Sequence, residues 1–212
     1  VFEIFDPQAD YVISGGSSLP HWYQPRVTYF ITFRTEDSIP LDVSRRRHAQ
    51  RFEWLRDHRV NDFEVDFIRL PIQQRKEFHE RFSREYLETL DKGLGDCVLA
   101  QPELSSIVAD SLFHFDTIRY HLGDFVVMPN HVHLIACLLG DTEIKSQCRS
   151  WKRFTARRIN SALNRNGRFW QEESFDHLIR SPEQFAAVVQ YIEQNPRKLN
   201  FDEYFHYRRE QG

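Results

Sequence analysis

Met128-Pro129-Asn130-His131-Val132-His133-Leu134-Ile135 decides how this chain is read. A Pro-Asn pair suits a tight turn, and the residues on either side are strand formers. Along a strand, side chains at i and i+2 share a face. His131 and His133 therefore point one way, while Val132, Leu134 and Ala136 point the other way into a core. Two imidazoles on one strand face can grip a divalent metal; a chance pair of surface histidines is the plain alternative.

A second segment, Tyr191-Ile192-Glu193-Gln194-Asn195, weights the choice toward metal. Ser181 is a good N-cap, Pro182 suits the first helical position and Glu183 favours the first turn. Phe185, Val188, Val189 and Ile192 form one apolar stripe at helical spacing, and Pro196 stops the helix. Tyr191 lies off that stripe, with Asn195 four residues on along the same face and Gln184 projecting there too. A tyrosine at the edge of a core is the ordinary reading. Beside a two-histidine strand, Tyr191 reads as a nucleophile and Asn195 as a third metal ligand.

These residues carry a family resemblance. The run from Phe125 to Leu138, Trp170-Gln171 with Phe175-Asp176-His177, and Tyr191-Ile192 with Asn195-Pro196 resemble the single-tyrosine HUH transposases. Leu19-Pro20-His21-Trp22 and the run from Val27 to Arg34 are similar to one branch, the REP-associated tyrosine transposases of bacteria. The similarity spans 19–199 and is weak between residues 39 and 97. It implies a ferredoxin-like fold, metal-dependent cleavage and rejoining of single-stranded DNA, and recognition of short palindromic hairpins. In the wider insertion-sequence family the residue four after the tyrosine is often Gln; Asn195 is one methylene shorter.

The chemistry follows from what phosphodiester cleavage without water needs: a nucleophile, charge neutralisation and a stabilised leaving oxygen. Tyr191 would attack phosphorus to give a 5′-phosphotyrosine. His131, His133 and Asn195 would hold the cation, Mg²⁺ by abundance or Mn²⁺ by its tolerance of mixed nitrogen and oxygen ligands. Asp176, His177 and Gln184 are candidates to support these ligands; for His177, pairing with a neighbouring carboxylate is the competing structural role. A hairpin-binding descendant that does not cleave is the alternative function. A metal hydrolase ranks last, because the nearest carboxylates in sequence, Asp124 and Asp141, fall at strand ends.

The 212 residues suffice for a sizeable core, and 18 phenylalanines make it aromatic. With 28 basic and 31 acidic residues the net charge is −3, which argues against a nonspecific nucleic-acid coat. Distribution matters more than the sum. Between residues 145 and 168 lie Lys145, Arg149, Lys152, Arg153, Arg157, Arg158, Arg165 and Arg168, with no acid among them. Lys152, Arg153, Arg157 and Arg158 are the expected DNA-phosphate contacts, a solvated helix face being the alternative. His21 and Trp22 could stack an unpaired base, or Trp22 could anchor the N-terminal segment on the core. The resemblance implies single-stranded or hairpin DNA as the partner, met as a monomer or homodimer. Cys97, Cys137 and Cys148 show no disulfide or metal spacing, which suits a reducing cytoplasm; the resemblance implies that it is a bacterial one, with the protein at the nucleoid. No apolar run is long enough to span a membrane, and the start does not read as a signal peptide.

The remaining pattern gives a strand near 27–34, helices at 44–59, 72–92 and from 102, strands at 120–128 and 131–138, a helix at 142–163 with Ile144, Trp151, Phe154 and Ile159 inward, and a strand at 175–179. The expected class is α+β: a ferredoxin-like split βαβ fold with an antiparallel sheet and additional helices. Residues 1–23 read as an irregular arm and 24–212 as one catalytic domain.

Overall fold

A computed structural model describes residues 2–14, 21–63, 65–198 and 204–209. Its elements run β1 (Val12–Ser14), β2 (His21–Tyr23), β3 (Thr28–Arg34), α1 (Leu41–Asp57), α2 (Asp66–Arg69), α3 (Ile72–Leu90), α4 (Pro102–Phe113), β4 (Tyr120–Met128), β5 (His131–Leu138), α5 (Ile144–Ala162), β6 (Phe175–Leu178), α6 (Pro182–Gln194) and β7 (Phe205–Tyr207). The main sheet is antiparallel in the order β6-β3-β5-β4-β7. Its first four strands reproduce the split βαβ order of a ferredoxin-like sheet, and β7 adds a fifth strand.

Both faces of this sheet are covered, which explains why β3 and β5 are buried at every position. On one face, Tyr29, Ile31, Phe33, Val132, Leu134 and Ala136 pack against α4 and α5. On the other, Phe30, Val126, Met128 and Ile135 pack against α6, with Tyr86 and Leu87 of α3 joining them. Phe30, which breaks the polar alternation of β3, faces this second layer. Helices α1 to α3 hold a smaller core of Trp54, Val60, Phe67, Phe78 and Phe82.

Ser181 caps α6 as its sequence suggests: its hydroxyl accepts from the Gln184 amide at 3.1 Å, and Gln184 Oε1 accepts from the Arg180 amide at 2.8 Å. The pair is a variant of the capping box in which the Gln184 side chain reaches one residue further back, to the amide before the cap. In α5 the inward stripe includes Ile144, Trp151 and Ile159 but not Phe154, which is exposed; Cys148 and Thr155 fill the seam instead.

The irregular arm expected over residues 1–23 is corrected in its described part. β1 and β2 pair antiparallel, with Ile13 opposite Trp22. The Phe5 amide donates to Ile179 O, and Thr28 donates twice to Glu3 O, so this part lies along the sheet. A three-residue strand carries too few residues to show a period, so its sequence reads as loop. The Gly15-Gly16-Ser17-Ser18 stretch lies outside the described residues. At the opposite edge β7 pairs with β4. There the Arg209 guanidinium bonds Asp116 and Leu122 O, and its amide donates to Asp124 Oδ1. Cys97, Cys137 and Cys148 are all free thiols. Among the described residues no helix is long and apolar enough to cross a membrane.

A polar chain crosses the first core: Trp151 Nε1 donates to Tyr120 Oη at 3.0 Å, and Tyr120 Oη donates to Leu112 O at 2.7 Å. Tyr120→Phe leaves both partners buried and unpaired. It should cost about 1–3 kcal/mol in urea unfolding while leaving metal affinity intact, because the histidines face the other layer. An unchanged unfolding midpoint would show that this chain contributes nothing.

Candidate metal and nucleophile site

β5 is the central strand, and its pleat turns His131 and His133 toward α6 at 0% exposure. Their ring centroids lie 4.5 Å apart. Each Nδ1 has one short partner. His131 Nδ1 sits 2.7 Å from Asn130 Oδ1, and Asn130 Nδ2 donates to Leu94 O at 2.7 Å. The carbonyl of Leu94 can only accept, so it orients the Asn130 amide and forces Nδ1 of His131 to carry the proton. Its lone pair then resides on Nε2. His133 Nδ1 lies 2.7 Å from Thr32 Oγ1, its register partner on β3, and donates there when Nε2 serves as a ligand.

Two helix ends close over the pair. α6 brings Tyr191, whose hydroxyl donates to Asp91 Oδ1 at 3.2 Å and lies 3.4 Å from His133 Nε2. Asp91, at the C-terminal end of α3, also accepts from Asn195 Nδ2 at 2.9 Å. Phe30 stacks on His133 and meets Tyr191 edge-on, with centroids at 5.5 and 5.9 Å. Burial raises the Tyr191 pKa well above that of a free phenol, and the adjacent Asp91 charge raises it further. These surroundings favour Tyr191 as a neutral phenol.

Asp91, His131 and His133 offer ligand atoms that all lie within 4.8 Å of one another. Asn195 Oδ1 is buried and accepts no hydrogen bond among the described residues. A carboxylate, two imidazoles with fixed tautomers and an unpartnered amide oxygen form a donor set that fits a divalent cation. The structure thus brings together Tyr191, His131, His133 and Asn195, and adds Asp91.

Sequence reasoning missed Asp91, Thr32 and Asn130. One signal for Asp91 was available. An acid at a helix C-terminus opposes the helix dipole, and α3 has no basic residue in its last turn to offset it. Asn130 was read only as a turn residue.

The three residues expected to support the ligands lie elsewhere. Gln184 is spent in the capping box. His177 Nε2 accepts from Arg180 at 3.1 Å and stacks on Phe175; burial lowers its pKa to about 3. Asp176 alternates onto the opposite face of the short strand from His177. The basic helix α5 covers the sheet face away from the histidines. Lys152 is folded back, donating to Gln171 O at 3.1 Å and Glu172 O at 2.5 Å, whereas Arg153, Arg157 and Arg158 are exposed. Trp22 stacks on Tyr11 at 5.4 Å, meets Phe5 edge-on and lies under the Arg180 guanidinium, contacts that anchor it to its own chain. His21 is placed by its backbone alone, in β2.

Residues 104–195 match the family model of the IS200-like transposases. One similar solved structure is that of a REP-associated tyrosine transposase bound to a REP hairpin. It is 17% identical, with 85% of this chain and 73% of that chain covered and a TM-score of 0.41. Another is a Deinococcus radiodurans protein described as a transposase, 18% identical, covering 82% of this chain and 93% of that one, with a TM-score of 0.36. No curated protein matches the sequence.

If Asn130 sets the His131 tautomer, Asn130→Ala should weaken Mn²⁺ binding about 10–100-fold by titration calorimetry. Asp91→Asn, which removes a charged ligand, should weaken it at least as much. Unchanged Mn²⁺ affinity in both variants would remove the metal assignment from this cluster.

Proposed function

We propose that this chain, an IS200-like transposase by its match over residues 104–195, is a metal-dependent single-strand DNA endonuclease and strand transferase acting at palindromic hairpins. The observation that carries the reading is the Tyr191 hydroxyl held 3.4 Å from the nitrogen of His133 and bonded to Asp91. A nucleophile and a ligand cluster on one site are what phosphoryl transfer to tyrosine requires.

Tyr191 Oη attacks the scissile phosphorus, and the bond to the 3′ oxygen breaks. The products are a 5′-phosphotyrosine and a free 3′-hydroxyl. Asp91 already accepts the Tyr191 hydrogen and is placed to take its proton. Asn195 steadies Asp91 through its amide, and Phe30 fixes the Tyr191 ring against His133. A cation held by Asp91, His131, His133 and Asn195, of the Mg²⁺ or Mn²⁺ type, would neutralise charge at the phosphate. Attack by a 3′-hydroxyl on the phosphotyrosine reverses the step and joins strands without ATP, since the bond energy is kept in the covalent link.

Arg153, Arg157 and Arg158 present an exposed basic surface on α5, suited to the phosphates of a hairpin stem. Because that surface lies on the other side of the sheet from Tyr191, a strand joining the two wraps around the β6 edge.

Incubation of the protein with a labelled hairpin oligonucleotide and Mn²⁺ should give a denaturant-resistant adduct, lost in Tyr191→Phe while hairpin affinity stays within about twofold, since only the nucleophilic oxygen is removed. Binding without an adduct would make the protein a recognition module. Free 5′-phosphate ends without an adduct would assign Asp91 to water activation.

Replacing Arg153, Arg157 and Arg158 together with Gln should weaken hairpin binding and flatten its salt dependence by up to about 0.9 in log–log slope per lost phosphate contact. An unchanged slope would show that α5 faces away from DNA.

A further inference from the structure

On the same sheet face as the histidines, α1, α3 and the segment 168–176 enclose an open cleft of about 460 Å³. That is room for a nucleotide unit. Its lining includes Arg34, Arg47, Arg51, His48 and Tyr86 together with Arg168 and the acids Glu172, Glu173 and Asp176. Apart from Arg168, the basic lining residues precede residue 104 and so lie outside the stretch that matches the transposase family model.

Two of its arginines, Arg34 buried and Arg47 half-buried, make hydrogen bonds only to neutral groups. Arg34 is 9% exposed; it donates to Ser38 Oγ at 3.1 Å and bonds the Tyr86 hydroxyl. Arg47 donates to Glu85 O, Phe82 O and Thr89 Oγ1 at 2.8–3.0 Å, and lies over the Tyr86 ring. Among the described residues neither makes an ion pair. Carboxylate charge reaches Arg51 from Glu173 and Arg47 from Glu85, but the Glu85 carboxylate is shared with Arg81 at 4.0 Å. Of the acids opposite, Glu172 pairs with Arg168. A cation that loses water without gaining an anion is costly to keep. Burial correspondingly lowers the Arg47 pKa. An anion entering the cleft would offset that cost.

The cleft is also continuous with the Tyr191 site. Arg34 is the register partner of His131. Phe175, on the cleft wall, stacks on Tyr86 and meets Phe30 edge-on, and Phe30 touches Tyr191. We infer that the Arg34–Arg47 cleft binds a backbone phosphate of the single strand that runs away from Tyr191, extending the reading proposed above, on which it rests. The insertion helices α1 and α3 would then supply strand contact in addition to Asp91.

The test measures anisotropy of a fluorescent, unstructured single strand on the full chain carrying Tyr191→Phe, so that covalent capture does not distort affinity. Arg47→Gln keeps polar contact and removes charge. The log–log salt slope should become shallower by about 0.7, the value of one single-strand phosphate. Arg47→Lys should retain the slope. Thermal stability of Arg47→Gln should hold or rise, because a half-buried charge with no ion pair of its own is gone. A purely structural Arg47 gives the reverse pattern, a lower midpoint with an unchanged slope, and overturns the inference. Should Arg47→Gln fail to fold, Ser44→Glu places a carboxylate in the cleft from α1. It should stabilise the fold and weaken strand binding; unchanged binding overturns the inference.

Inorganic phosphate and deoxyadenosine monophosphate are the competitor arms. If either binds in an Arg47-dependent way while the strand's slope is unaffected, the cleft is a free-phosphate site and the strand assignment fails. An adduct in the wild type with an unchanged Arg47→Gln slope sinks the cleft alone. A flattened slope without any adduct sinks the nuclease reading alone, and absence of strand binding sinks both.

Discussion

Two imidazoles held out of water in the middle strand of a sheet set the terms for everything around them. A buried histidine needs a partner at each nitrogen or its desolvation goes uncompensated. Asn130 and Thr32 meet the Nδ1 atoms, one from the turn before β5 and one from the neighbouring strand. The Nε2 atoms then face the only direction left, toward the ends of α3 and α6. The Pro129-Asn130 turn therefore does more than reverse the chain. By tying its amide to Leu94 O, it fixes the electronic state of the ring beside it.

The two sheet faces divide the work. The α4–α5 face is an aromatic core, with Tyr29, Trp151 and Trp170 locked by hydrogen bonds such as Trp170 Nε1 to Thr155 Oγ1 at 2.8 Å, and Phe33 packed edge-on against Trp170. The opposite face carries polar atoms in an apolar frame of Phe30, Phe175 and Ile192. Rigid packing on the first face holds the strand whose other side presents the ligands, so the ligand geometry is set by the scaffold and not by loop conformation.

The elements legible in the sequence were those whose pattern is local. The β4–β5 hairpin, the capped α6 and the period-2 alternation of β3 each announce themselves within ten or twenty residues. So did His131, His133, Tyr191 and Asn195. Asp91 did not, because its role arises from a contact with Asn195 across 104 residues, and nothing near it in sequence distinguishes it from other helical acids except its clash with the helix dipole. β1, β2 and β7 escaped for another reason: three-residue strands are defined by their partners. Phe154 was placed inward by spacing alone, yet α5 presents Cys148 and Thr155 to the sheet and leaves that ring outside. Asp176 and His177 illustrate the converse error, in which a motif fixed the residues' presence but not their direction; the pleat sends them to opposite faces.

The short strand Phe205–Tyr207 has a consequence for assembly. β4 without it would present an open row of amides and carbonyls along a sheet edge, a template on which any extended chain can add a strand. β7 fills that row, Phe205 and Tyr207 stack on Phe125, and Arg209 clasps Asp116 beyond it. The long β4 is thus covered at Phe125–Val127, and the edge presented in its place is a strand of only three residues, a short template for a second chain. Strand addition between copies is thereby disfavoured at this end of the sheet relative to contact through side-chain surfaces.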